Sequence, residues 1–361
     1  MDDPATLAGI ADTAAALLRE HSDFARLRAV TEPAGGWDQA LWHRFATDLG
    51  FAGLAIPESC GGAGMGPAAL AAVAEILGGA LAPIPWFETA VLAAGVLTAA
   101  GSDFALAGIA AGHAIATLIM PDHAGNGPVI ANNRLCGDAC CVPFGAAADI
   151  FVIAARDDTG ITLAGLPRDT PGITVTALVS MDVTRPLARV QFDGVDITPH
   201  RLAPAGAAAP ALHAALRDAR LVLAAEAVGG MQRSLDETIA YARQRVQFGR
   251  VIGGFQAIKH RLADMKSELE AARSALAWGL AALHAGGGET ECAAALAFCA
   301  EAYHRLTADA IQLHGGIGFT WDHHAHLFFK RARGTLTLLG TPGHHRETLA
   351  AALLDTALDA A

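Results

Sequence analysis

The sequence predicts a mainly helical protein in which a small β-barrel separates an N-terminal helical domain from a C-terminal four-helix bundle. Three observations carry this. Alanine and leucine dominate while aromatic residues make up only 6% of the chain, a composition that favours helix bundles over β-sandwiches. Apolar residues recur at three- and four-residue intervals along the last third. Short β-type runs interrupt the helical texture near the middle.

Taken in order, residues 1–112 read as short alanine-rich helices broken by glycine turns, with one loop standing out, Ile56-Pro57-Glu58-Ser59-Cys60-Gly61-Gly62-Ala63-Gly64. Residues 113–203 change to brief β-type runs, among them Ile150–Ile153, Ile173–Thr176 and Val190–Phe192, separated by Asp, Gly and Pro turns. That spacing is expected of a small barrel. Residues 204–361 begin with a hinge-like stretch from Pro204 to Pro210 and return to helix. Leu221, Ala225, Val228, Leu235 and Ile239 mark the first bundle helix. Phe255, Ile258, Leu262, Met265, Leu269, Ala272, Leu276 and Leu283 mark the second, and Leu296, Cys299, Tyr303, Leu306, Ala310 and Leu313 the third. A fourth is expected after Trp321.

Length and charge narrow the function. A chain of 361 residues, 53% hydrophobic, can bury a large core. Its formal charge of -11 excludes a nucleic-acid or anionic-membrane surface, where clustered Lys and Arg must meet phosphates. Small molecules or proteins are the expected partners. The N-terminal stretch carries Asp3, Asp12, Glu20 and Asp23, unlike a signal or transit peptide, and no apolar run is long enough to span a bilayer. A cytoplasmic protein is expected. Cys60, Cys136, Cys140, Cys141, Cys292 and Cys299 show no CxxC spacing and read as reduced, buried thiols. His323, His324 and His326 lie too close together on one segment to converge on a metal, so no metal is expected.

Several motifs are more specific. Arg245-Val246-Gln247-Phe248-Gly249, then Phe255-Gln256-Ala257-Ile258-Lys259-His260 and Leu262-Ala263-Asp264-Met265, resemble the RxxFG, FQ and LADM series of acyl-CoA dehydrogenases. Gln312-Leu313-His314-Gly315-Gly316-Ile317-Gly318-Phe319 resembles that family's QxxGGxGF signature, and the loop Pro57–Gly64 its PExxGGxG turn. On physical grounds Arg245 could meet a diphosphate bidentately, or could be only a solvated or salt-bridged helix-end arginine. Gln312, Gly315 and Gly316 could offer an amide and backbone N–H groups to a nucleotide, or could simply stop a helix. The resemblance implies FAD, with Arg245, Phe248, Gln256, Gln312 and Gly316 reaching across a dimer interface to a flavin held mainly by the neighbouring subunit. It also implies an acyl-CoA substrate, with electron-transfer flavoprotein as the acceptor.

Two departures from the family pattern qualify this. Where the family holds its flavin ring on a Trp-Ile-Thr run, this chain has Cys141-Val142-Pro143, and Pro143 offers neither N–H nor hydroxyl. The family's catalytic base is the Glu of a [YW]EGT run. The matching stretch here is Leu338-Leu339-Gly340-Thr341, which places Leu339 at the base and leaves Thr341 as a family-type cofactor contact. The family's alternative base position falls on Ala219, before Arg220, a substrate-binding candidate. Neither Leu nor Ala accepts a proton. Asp218 is displaced about 100° around the helix, while Glu226, two turns beyond Ala219 on roughly the same face, is the remaining candidate base. The resemblance therefore implies a subunit of a hetero-oligomer whose homologous partner bears the base. A homo-oligomer that binds FAD and uses Glu226 or another acid as a non-standard base, and a flavin-free acyl-CoA-binding or scaffold protein, are the rival expectations.

Overall fold

A computed structural model describes residues 3–32, 36–122 and 125–359, with side chains described to residue 354. The N-terminal part comprises α1 (Pro4–His21), α2 (Phe24–Thr31), the single turn α3 (Gln39–Trp42), α4 (Pro67–Ala80), α5 (Ala94–Ala99) and α6 (Leu106–Ala110). Asp3 and Asp23 cap α1 and α2, each accepting a hydrogen bond from a first-turn N–H. A π-helical segment, Phe87–Ala93, precedes α5 and is buried at every residue, Glu88 included.

Seven strands follow: β1 (Ala116–Ile119), β2 (Val129–Ala131), β3 (Arg134–Pro143), β4 (Ile150–Arg156), β5 (Ile161–Pro167), β6 (Ile173–Leu178) and β7 (Leu187–Asp196). They pair in the order β1-β4-β2-β3-β7-β6, with β5 also on β4. The expected barrel is thus corrected to a sheet that does not close. At β1, Thr89 of the π-helical segment hydrogen-bonds both the N–H and the carbonyl of Ala116, so helix rather than strand meets this edge. The join between β2 and β4 is a single residue pair, Val129 with Arg156.

The C-terminal part holds α7 (Ala209–Gln244), a hairpin of β8 (Val246–Gln247) and β9 (Arg250–Val251), α8 (Gln256–His284), α9 (Glu289–His314), α10 (Ala325–Leu338) and α11 (Pro342–Asp359). Helix α9 packs against α7, α8, α10 and α11, so a final helix that contains His344 and His345 joins the four of the bundle. Every residue of α7 from Leu221 to Met231 is buried, because α4 covers one side and α9 the other. The approach to α4 is close: a Cβ on Gly78 would lie 2.0 Å from the Glu226 carbonyl oxygen, and one on Gly229 only 1.8 Å from that of Glu75. Two glycines, one from each helix, let the backbones touch.

The cysteines also depart from expectation. Cys292 and Cys299 are buried, but Cys136, Cys140 and Cys141 are exposed and Cys60 is half-buried. The exposed three lie on β3, where only Leu135, Ala139 and Val142 are buried.

Candidate functional site

The helix directions gather the nucleotide-type residues at one end of the bundle. The C-terminus of α7, the N-terminus of α8 and the C-terminus of α9 meet there, carrying Arg245, Gln256 and Gln312. Tyr241, one turn before Arg245, ties the corner together by donating its hydroxyl to the His314 carbonyl at 3.2 Å and packing its ring on the His314 imidazole. Arg245 ends α7 in extended backbone, and its carbonyl accepts the Ile252 N–H at 2.8 Å, which closes the β8–β9 hairpin back onto the helix. No carboxylate pairs with Arg245 among the described residues, so the salt-bridge alternative does not hold there.

The hairpin turn is Phe248-Gly249, both at positive φ (52° and 78°), the backbone of a two-residue type I′ turn. Glycine tolerates this readily, whereas phenylalanine is strained by it. Phe248 is nevertheless 91% exposed, its ring set perpendicular to that of Phe255 with the centroids 6.2 Å apart. Phe319, which ends the Gly315–Phe319 turn, and Trp321 are also exposed. Gln256 and Gln312 are exposed, and Gly315 and Gly316 would bring a Cβ near nothing within 4 Å. Their backbone is open to a ligand.

The other candidate residues lie elsewhere. Thr341 caps α11, its Oγ1 accepting the His344 N–H at 3.2 Å, and Arg220 is engaged by Glu289. Ala219 is fully buried. Leu339 is buried too, and it lines a cavity of about 350 Å³ shared by β1, β3, the segment before β7 and the end of α10. Pro143 and Cys141 form part of its β3 wall. The Pro143 carbonyl accepts the Thr117 hydroxyl at 3.0 Å, and Pro143 has no N–H to donate to a flavin ring.

Two acids line the cavity, Asp122 and Asp182, and both are committed. Asp122 accepts from the backbone and side-chain amides of Asn126 at 2.8 and 3.0 Å. Asp182 accepts from the Thr184 N–H and hydroxyl and from Arg331 Nε at 2.9 Å. Glu226 does not reach the cavity. Its two oxygens accept from Arg185 Nη2 at 2.7 Å and Arg331 Nη1 at 2.8 Å, and Arg185 also bridges to Glu88 at 3.1 Å. Burial works to raise the Glu226 carboxyl, but the Arg185 and Arg331 charges outweigh it and hold the group below its ordinary range. Burial instead raises Glu88, which keeps its proton more readily. Glu226 is a bridge in a buried ion network, each of its oxygens accepting from an arginine. Its arginine partners, far away in sequence, carried no periodic or motif signal.

Two family matches cover most of the chain: acyl-CoA dehydrogenase, N-terminal domain, over residues 7–105, and acyl-CoA dehydrogenase, C-terminal domain, over residues 209–354. The chain belongs to the acyl-CoA dehydrogenase family. Acyl-CoA dehydrogenase IpdE2 of Mycobacterium tuberculosis is 38% identical over 333 residues, 92% of each chain. Among solved structures, the ChsE4-ChsE5 complex from Mycobacterium tuberculosis superposes with a TM-score of 0.90 at 28% identity, over 98% of both chains. The Tcur3481-Tcur3483 steroid ACAD G363A variant does so with 0.89 at 28%, over 98% of this chain and 99% of that one. This chain is therefore similar to acyl-CoA dehydrogenases that include a two-component complex, and it shares their helix, sheet and bundle order. As an acyl-CoA dehydrogenase it has the architecture of an oxidoreductase of lipid metabolism. Among its described residues no helix is long and apolar enough to cross a membrane.

Proposed function

We propose that this chain is one subunit of a hetero-oligomeric, cytoplasmic acyl-CoA dehydrogenase, dividing as 1–112, 113–203 and 204–361, which completes the FAD site of a homologous, base-bearing partner. The observation that carries the reading is an asymmetry. The cavity around Leu339 holds no uncommitted carboxylate among the described residues and has a proline in its β3 wall, while the opposite end of the bundle presents a free arginine, exposed amides, open glycines and an uncovered phenylalanine.

FAD, when bound, supplies the acceptor for the β-hydride of an acyl-CoA thioester. The α-proton must leave to a carboxylate within hydrogen-bond reach of Cα. Leu339 and Ala219 cannot take it, and Glu226 is held ionised between two arginines, so the partner supplies the base. What this chain contributes is binding. Arg245 is placed to clamp a diphosphate with two charge-assisted hydrogen bonds, Gln256 and Gln312 offer amides, and Gly315 and Gly316 admit close approach of backbone N–H groups. Phe248 buries its strained, exposed ring against the partner. The similarity to a steroid acyl-CoA dehydrogenase favours a bulky, ring-bearing acyl group, and electron-transfer flavoprotein is the natural acceptor.

The test is to purify the chain alone and together with a glutamate-bearing homologue, and to measure released FAD against protein and turnover with an artificial acceptor. About one FAD per pair of chains is expected, with activity only in the pair. One FAD per chain together with turnover by the chain alone defeats the reading.

A further inference from the structure

Strand β3 breaks register with β7 between Ala139 and Val142, and the bulge so formed holds Cys140 and Cys141. In a regular strand adjacent side chains point to opposite faces. Here Cys141 takes a positive φ of 62°, and the two sulfurs come to 3.6 Å from each other. Both cysteines are exposed, and both line the 350 Å³ cavity that Leu339 and Pro143 also line. Each thiol has the other as its hydrogen-bond partner.

We infer that Cys140 and Cys141 form a vicinal dithiol modification site opening on this cavity, one that captures thiophilic electrophiles and closes to an adjacent-residue disulfide with hydrogen peroxide. The first step has the Cys140 thiolate attack one peroxide oxygen. The O–O bond breaks, hydroxide leaves, and Cys140 becomes a sulfenic acid. Cys141 then attacks that sulfur, the S–S bond forms, the S–O bond breaks and water departs after proton transfer. Two thiols are oxidised, one peroxide is reduced to two waters, and the balance closes. Partial burial and the neighbouring Cys140 raise the Cys141 thiol, and the same bridge and two waters result whichever sulfur of the pair attacks first. A trivalent arsenical such as phenylarsine oxide needs no redox step. It bonds both sulfurs and releases water, and the second bond forms at high effective concentration because the first has already tethered the arsenic.

The site is independent of the subunit reading, and the flavin-free full-length chain is used so that the two fail separately. Cys136 falls between the same two arginines, Arg134 and Arg156, as the pair, so the mapping is done in a Cys136→Ser background. Peroxide should lower the intact mass by two hydrogen atoms, abolish two titratable thiols and leave a reducible bridge within that segment. One phenylarsine oxide should bind per chain. Cys140→Ser and Cys141→Ser, both at exposed positions, should each prevent the mass loss and weaken arsenical binding roughly a hundredfold. Persistence of both thiols in the folded chain while the urea-unfolded chain oxidises overturns the inference, as does a bridge to Cys60 or to a second chain.

Discussion

Glu226 shows how one residue type changes meaning with its surroundings. Its position on α7 suggests a carboxylate facing a pocket, and its contacts make it the counter-ion of Arg185 and Arg331. Removing one partner of a buried ion network leaves the others uncompensated, a loss on the order of 3 kcal/mol. Glu226→Gln should therefore lower the urea midpoint markedly, while FAD retention by the folded complex holds. Unchanged stability would place the carboxylate outside the network. Arg245 is the opposite case, its guanidinium paired with no carboxylate among the described residues. Arg245→Ala should leave stability within about 0.5 kcal/mol and reduce FAD retention by the complex about ten- to a hundredfold, the range of one charge-assisted contact. Equilibrium dialysis of the paired subunits measures it. Of these roles, Arg245 was legible because a motif surrounds it. That of Glu226 was not, since its arginines are 41 and 105 residues away in sequence.

At the scale of elements, helical periodicity disclosed the bundle, because burying an apolar stripe leaves a record in spacing. Leu269, Leu276, Leu296 and Leu306 are all buried as that spacing predicts. The α4–α7 contact left no such record. Gly78 and Gly229 look like helix-weakening residues, and in an exposed helix alanine would gain about 1 kcal/mol over either. Here the added methyl meets a carbonyl, so Gly229→Ala should destabilise by about 3 kcal/mol, whereas Gly316→Ala, with open space around it, should fold normally and lose only FAD. Thermal denaturation of the pair of variants separates packing glycine from ligand glycine. A second element-scale feature is the aromatic stack that runs from Tyr241 through His314 and His323 to His324, which lies 3.5 Å from the Phe24 ring. Burial, with His314 and His324 alongside, lowers His323 to about 4. The fold therefore favours the neutral ring. Its contribution is complete above the free-histidine value near 6.5 and is lost as pH falls toward 4. The melting temperature should drop between pH 6.5 and 5, and His323→Gln should flatten that slope.

For the whole molecule, the order of helical, β and helical segments was readable from composition and turn residues, and the family followed from motifs spread along the chain. The closure of the sheet was not. Whether strands seal into a barrel depends on what meets the last edge, and here Thr89 from a distant helical segment takes that place at β1. The exposed cysteines escaped for a related reason: a bulge inverts the inside–outside alternation on which a strand's burial is read. Phe248 carries the further consequence. A large ring held out in water on a strained turn is an adhesive tip, and a chain synthesised without its counterpart has nowhere else to put it. Colloidal behaviour should report this: alone, the protein should self-associate as its concentration rises and gain solubility with Phe248→Ser, and in the cell it should accumulate to a higher level when its counterpart is made alongside it.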